Sequence, residues 1–182
     1  MGAAMLALTA AAPAGAREWS KDKAWTVTEF NQGACVMRRA AGTEAMLQVI
    51  ETPDHHGSVS VSGLPGMTAA PGPLRYGFTD ANYTTMLANR AKAYITESHD
   101  SIDSLLWTLG AQPVTLQGRP ALEAEISRNF IDLMGSYEHL ILAIDDKPST
   151  EGFLDMSGAP AAIAALRRCT AALAAKQPKG AN

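Results

Sequence analysis

The sequence predicts an α+β domain: an antiparallel β-sandwich or partly closed barrel, with one short internal helix and a C-terminal helix packed on the sheet. Two observations predict this class. Short apolar stretches of period two recur between turn residues, and the last long apolar pattern has helical spacing. The chain has 182 residues, of which 47% are hydrophobic. It is therefore long enough for one domain with a buried core.

Strands are predicted first. Residues 25–30 are rich in aromatic and β-branched side chains, and residues 35–39 follow a turn. Apolar and polar side chains alternate along residues 45–51 and again at 59–61. Four glycines and several prolines mark residues 63–77 as a surface loop.

The internal helix is predicted over residues 101–109, with Gly110 as its stop. Its apolar stripe has the spacing i, i+3, i+4, i+7 and consists of Ile102, Leu105, Leu106 and Leu109. Further strands are expected at 82–87, 92–96, 114–117 and 122–126. Gly135-Ser136 is expected to form a hairpin turn into a strand over 137–144, although the apolar run 140–144 is also compatible with a helix.

The C-terminal helix is predicted over residues 159–175, with Pro160 in its first turn and Pro178 beyond its end. One face of this helix carries Ala162, Leu166, Cys169 and Leu173. We expect a single domain over residues 17–176 and a loose polar tail over 177–182.

The N-terminus resembles a secretory signal peptide. Residues 3–12 form an uncharged apolar run, and small residues at 14–16 precede the charged residue Arg17. The run is shorter than the roughly 20 residues that a membrane-spanning helix needs. We expect cleavage after Ala16 and a periplasmic or secreted mature protein that does not span a membrane. Because no basic residue precedes the run, we also expect translation to start upstream. An Ala-rich helical tail is the alternative.

The chain has two cysteines, Cys35 near the start of the expected mature chain and Cys169 near its end. Export into an oxidising compartment favours a disulfide between them. The helical spacing supports the same pairing, because it turns Cys169 toward the body of the domain. Two buried free thiols are the alternative, and a zinc site is disfavoured because neither cysteine belongs to a CxxC motif.

Charge and motifs exclude several function classes. The net charge is −3, so no basic surplus is available for nucleic acid. Neither the G-x-x-x-x-G-K-[ST] nor the G-x-G-x-x-G phosphate-binding pattern occurs, and no G-x-S-x-G nucleophile motif occurs. No cofactor is expected.

The histidines are the candidates for chemistry. His55 and His56 follow Asp54 and are the best metal-ligand candidates, although a polar turn explains the same residues. His99 and His139 are candidates for the general base of a small hydrolase. In the predicted hairpin, His139 would instead lie opposite Asp132 in a cross-strand ion pair.

Both ends of the expected mature chain carry motifs of a known family. An early Trp-x-Val strand and a cysteine strand are followed, far along the chain, by a Phe-x-x-x-Ser-Gly segment and a helix. These motifs comprise Trp25, Val27, Cys35, Phe153, Ser157, Gly158 and residues 162–169. The chain resembles small periplasmic proteins of alphaproteobacteria of the invasion-associated locus B type. Members usually have an additional early cysteine pairing, which this chain lacks.

The resemblance implies an exported β-rich domain that is stabilised by cysteines. It implies no catalytic residues, because none are known in the family. We therefore expect a non-enzymatic periplasmic or secreted protein. It would act by binding, or as an accessory of the cell envelope, and its partner would be an envelope protein or a small ligand. The alternatives are a carrier of a small apolar ligand and the hydrolase that uses His99 or His139.

Overall fold

The computed structural model describes residues 17–22, 24–30, 33–41, 45–54, 56–64, 67, 72–80, 107–144 and 152–176. Its strands are β1 (Arg17–Asp22), β2 (Trp25–Phe30), β3 (Ala34–Ala41), β4 (Ala45–Glu51), β5 (Gly57–Ser62), β6 (Gly72–Thr79), β7 (Trp107–Leu116), β8 (Arg119–Ile126), β9 (His139–Ile144) and β10 (Gly152–Asp155). Its helices are α1 (Arg128–Ser136) and α2 (Ala159–Lys176).

The described strands form one antiparallel sheet. Its order is β1-β2-β3-β4-β5-β8-β7-β6-β9-β10, so that β1 and β10 are the edges. The predicted α+β class and the packing of the C-terminal helix on the sheet are confirmed, since α2 contacts β1, β2 and β3. All ten strands are hydrogen-bonded into one continuous sheet, so the two separate sheets of a sandwich are not seen among the described strands.

Local sequence explains where several elements begin and end. The predicted strands at 25–30 and 45–51 match β2 and β4, and the predicted C-terminal helix ends one residue early. Gln117 and Gly118 join β7 to β8 with φ angles of 51° and 77°. Positive φ at both central residues is the geometry of a type I′ turn, whose twist suits a two-residue hairpin.

The core lies between one face of the sheet and the two helices. It is continuous from β2 to the end of α2. Its largest fully buried side chains include Trp25, Phe130, Met37, Leu47, Leu74, Leu122, Met134 and Leu166. Neither helix in the described part of the chain has the length and apolar character that crossing a bilayer requires.

The predicted internal helix is wrong where the structure describes it. Residues 107–109 belong to β7, in which Trp107 pairs with Tyr76 and Gly110 pairs with Pro73. A helical stripe of a few residues adds little stability by itself, whereas β7 gains hydrogen-bonded neighbours on both sides. Residues 101–106 and the strands predicted at 82–87 and 92–96 lie outside the described residues.

The predicted hairpin turn at Gly135-Ser136 is also wrong, because these residues end helix α1. The helix buries Phe130, Ile131 and Met134 on one face. Gly135 serves helix packing, since a Cβ there would lie 3.1 Å from Cδ1 of Ile163 on α2. The strand expected after the turn does form, as β9.

Candidate functional site

A disulfide between Cys35 and Cys169 anchors the C-terminal helix to the sheet. It joins β3 to α2, its Cα atoms lie 6.0 Å apart, and its ends are separated by 134 residues in sequence. Both cysteines are fully buried. The Cα separation lies within the usual range for disulfides. The bridge expected from the sequence is thus present in the structure.

The disulfide places a buried carboxylate against α2. Cys35 pairs in register with Glu51 of β4, so their side chains share one face of the sheet. Thr170 follows Cys169 on α2, and its hydroxyl proton is shared between the Leu166 carbonyl oxygen at 3.0 Å and Glu51 Oε2 at 3.2 Å. Glu51 is 4% exposed and Thr170 is 3% exposed.

Glu51 and Thr170 line an open cleft of about 440 Å³, here named the disulfide cleft. It lies between the end of β4, the start of α1 and the second half of α2. Its lining consists of Glu51, Pro53, Arg128, Arg167, Thr170, Ala171 and Ala174. The volume is within the range of small-molecule sites.

The charges around the disulfide cleft balance. Arg128 and Arg167 contribute two guanidinium groups, and the buried Glu51 contributes a carboxylate. Arg167 also forms an ion pair with Asp132 of α1. The hypothesis of a cross-strand pair between Asp132 and His139 is therefore wrong, since Asp132 lies on a helix and faces α2.

A second open cleft, here named the His139 groove, lies beside the start of α2 and has a volume of about 540 Å³. Its polar lining residues are Ser136, Tyr137, Glu138, His139, Asp155 and Ser157. The His139 ring stacks on Phe153, with centroids 4.5 Å apart. Its Nδ1 atom is buried and has no hydrogen-bond partner.

Asp155 connects this groove to the sheet. Its carboxylate accepts hydrogen bonds from the Ser157 hydroxyl at 2.6 Å and from the Ser157 backbone N–H at 2.8 Å. These bonds hold the pKa of Asp155 below its usual value, and the charges of Arg39 and His139 lower it further. The guanidinium of Arg39 lies 3.6 Å from Asp155 Oδ2, and its side chain is only 10% exposed. Burial lowers the pKa of Arg39.

An aromatic cluster lies next to the His139 groove. Phe130 of α1 packs edge-on against Tyr76 and Phe78 of β6, at centroid distances of 4.8 and 5.4 Å. Trp107 contacts Tyr76 at one end of the cluster, and Tyr137 stacks on Phe78 at the other. These two end residues are the exposed large hydrophobic side chains of the described part of the chain.

The remaining predicted site residues fall in different places. His56 is exposed, and its Nε2 lies 3.7 Å from Asp54 Oδ2. His55 and His99 lie outside the described residues. Within the described ranges, no three His, Cys, Asp or Glu side chains are grouped to hold a metal ion. Glu51, Arg39 and Arg128 were not predicted as site residues from the sequence. They reach the two clefts only through the register of the strands and the position of α1.

Comparison with known proteins gives a structural likeness. No protein-family model and no curated protein matches the chain. The chain is similar to the crystal structure of invasion associated protein B from Bartonella henselae, with a TM-score of 0.48 and 14% sequence identity. The match covers 82% of this chain and 97% of that chain. The terminal motifs resemble proteins of the same type.

Proposed function

We propose that this protein is an exported, non-enzymatic protein of the bacterial cell envelope that acts by binding. The buried Cys35–Cys169 disulfide carries the proposal. Disulfides form and persist in oxidising compartments such as the periplasm and are rare in the cytosol. This bond lies in the core and ties the last helix to the sheet, so it supports a protein that folds after export.

The N-terminal segment supports the same compartment. Residues 1–16 have the pattern of a cleavable leader. Strand β1 begins at Arg17, directly after the proposed cleavage site. Cleavage after Ala16 would therefore leave every described strand and helix intact in a periplasmic or secreted mature protein.

The surroundings of His139 favour binding over hydrolysis. A general base needs a hydrogen-bond path to the group that it activates. Nδ1 of His139 is buried without a partner, and one face of its ring is stacked on Phe153. No serine or cysteine among the described residues donates a hydrogen bond to this imidazole.

Among the described residues, the core gives no support to a carrier of apolar ligands. The space between the sheet and the helices is occupied by buried side chains such as Met134, Met156 and Leu166. The two clefts described above open to the surface and are lined by charged groups. Contacts of Trp25 and Arg39 with the turn before α2 support a sheet that curls toward a partly closed barrel.

Export is testable with a reporter fusion. The chain, expressed from its native start so that any residues upstream of Met1 are kept, is fused to an enzyme that becomes active only after it forms disulfides in the periplasm, and a fusion that begins at Arg17 serves as control. We expect reporter activity, and a protein released by osmotic shock, for the full chain only. Equal activity of both fusions, or retention of the full chain in the cytosol, would contradict the proposal.

A further inference from the structure

We propose that strand β1 is a pairing edge for a second copy of this chain, and that two copies join their sheets there in an antiparallel, two-fold arrangement. The proposal goes beyond the proposed function and does not depend on it. A two-fold interface uses the same surface on both partners, so each contact in it occurs twice.

Strand β1 is an edge of the sheet. It pairs with β2 on one side, and no described strand lies on its other side. An edge strand presents a row of backbone N–H and C=O groups with which a further strand can pair. The six residues of β1 include no proline, so each of them has a backbone donor. The opposite edge, β10, has only four residues.

Two exposed charges lie on the face of β1 that is turned away from the core. Glu18 pairs in register with Thr28 of β2, and Lys21 pairs with Thr26. These threonines alternate along β2 with the fully buried Val27, so Glu18 and Lys21 share the outer face of the sheet. Both are exposed, and neither forms an ion pair with any residue in the described ranges.

A β-bulge at Trp19 places these charges symmetrically. The register with β2 passes from Glu18 to Ser20, so Trp19 is the extra residue. In a regular strand, side chains three residues apart lie on opposite faces. Because of the extra residue, Glu18 and Lys21 lie on the same face, one step before and one step after the centre of the bulge.

A two-fold axis through the bulge brings opposite charges together. Glu18 of each copy then lies across from Lys21 of the other copy. Opposite charges directly across two antiparallel strands stabilise the pairing, and like charges destabilise it. In the next two-fold register on either side, Lys21 would lie against Lys21, or Glu18 against Glu18.

The same features disfavour other occupants of this edge. A bulge and charged side chains are devices by which edge strands resist pairing with unrelated strands. A second copy carries the matching bulge and the complementary charges in the correct order. The pattern therefore favours a second copy over another strand and selects one register.

The bulge is held in place before pairing. The indole of Trp19 donates a hydrogen bond to Glu29 Oε2 at 3.2 Å, and the Arg17 guanidinium lies 4.6 Å from the centre of the indole ring. Glu29 is joined in turn to Lys176 of α2, with the ammonium nitrogen 3.0 Å from Oε1. Groups that are ordered before association lose less entropy when the partner arrives.

Sedimentation velocity over a wide range of protein concentration tests this interface in the oxidised protein. Glu18→Lys and Lys21→Glu each place like charges across the two-fold axis. An equimolar mixture of these two variants forms a mixed pair in which both contacts again join opposite charges. The matched control is Glu125→Lys, which makes the same change of charge at an exposed residue of the interior strand β8.

We expect a weak, concentration-dependent dimer of the wild-type protein, because one strand pair makes a small interface. Each single reversal should weaken dimerisation by about tenfold or more, since two attractive contacts become repulsive. The mixture should regain dimerisation close to that of the wild type, and Glu125→Lys should change it less than twofold. Added salt should weaken the wild-type dimer, because the paired charges are exposed.

The proposal is overturned if the wild-type protein is monomeric at every concentration. It is also overturned if the single reversals dimerise as well as the wild type, which would place the interface elsewhere, or if their mixture fails to recover. Both substituted side chains are exposed, so the variants should fold, and circular dichroism checks that they do. None of these outcomes changes the result of the export experiment, so the two proposals fail separately.

Discussion

The indole of Trp25 is hydrogen-bonded to the backbone of Ser157, 132 residues away in sequence. Its Nε1 donates to the Ser157 carbonyl at 2.9 Å, and the ring is 1% exposed. Arg39, the register partner of Trp25, reaches Asp155, the last residue of β10 before this turn. Strands β2 and β3 therefore hold the turn from which α2 begins.

Replacing Trp25 with phenylalanine should destabilise the protein. The change removes the donor of this partly buried hydrogen bond, which costs about 0.5–1.5 kcal/mol, and it also leaves space where the larger ring packed. Urea unfolding gives the free energy of unfolding. The matched control is Trp107→Phe, since Trp107 is 55% exposed and its replacement is expected to cost about 0.5 kcal/mol or less. Equal losses in both variants would show that the hydrogen bond contributes nothing.

Removing the disulfide should produce a larger loss. For ends separated by 134 residues, chain-entropy arguments give a contribution of about 5 kcal/mol, which is an upper figure. The variant Cys35→Ala/Cys169→Ala should therefore unfold at a much lower urea concentration than the oxidised protein. The reduced wild-type protein provides the control for the changes in side-chain packing. An unchanged midpoint in both would contradict an anchoring role for the bond.

Asp155 should contribute to stability only where it is ionised. Its pKa is lowered by hydrogen bonds from Ser157, so its contribution is complete above its unfolded pKa of about 3.9 and is lost as the pH falls through the folded value. Asp155→Asn should therefore destabilise the protein at pH 7, and this difference should shrink below about pH 4. Urea unfolding across this range measures it, with exposed Glu125→Gln as control. A difference that does not change with pH would refute the ionic contribution.

The aromatic cluster should depend on Phe130. This residue is 2% exposed and contacts the rings of Tyr76 and Phe78. Phe130→Ala should cost about 3–5 kcal/mol, because it removes the transfer energy of the ring and leaves a cavity. Thermal unfolding measures the loss of stability. The control is Asn129→Ala, which replaces an exposed residue next to Phe130 on the same helix. A loss no larger than that of the control would place the ring outside the core.

The sequence predicted the elements whose local pattern and tertiary environment agree. Residues 25–30 are rich in side chains that favour strands, and they form β2 in the sheet. Residues 159–175 have apolar side chains at helical spacing, and the helix that they form packs on the sheet. The prediction failed at residues 107–109 and 135–136, where tertiary contacts determine the local structure. Residues 107–109 acquire strand partners from β6, and Gly135 permits the approach of α2.

The candidate site was predicted only in part for the same reason. The disulfide could be predicted, because the helical spacing turns Cys169 inward and one other cysteine exists. The disulfide cleft could not. Glu51, Arg128 and Thr170 meet only through the register of β3 with β4 and the placement of both helices on the sheet.

Export and the disulfide are tested together by the intact mass of the protein isolated from cells, measured under denaturing non-reducing conditions. We expect a chain that begins at Arg17 and is lighter than the reduced chain by two hydrogens. Reduction should restore those two hydrogens and expose two thiols to alkylation. A chain that retains residues 1–16 and has two free thiols would contradict both the export of the protein and the anchoring of its last helix.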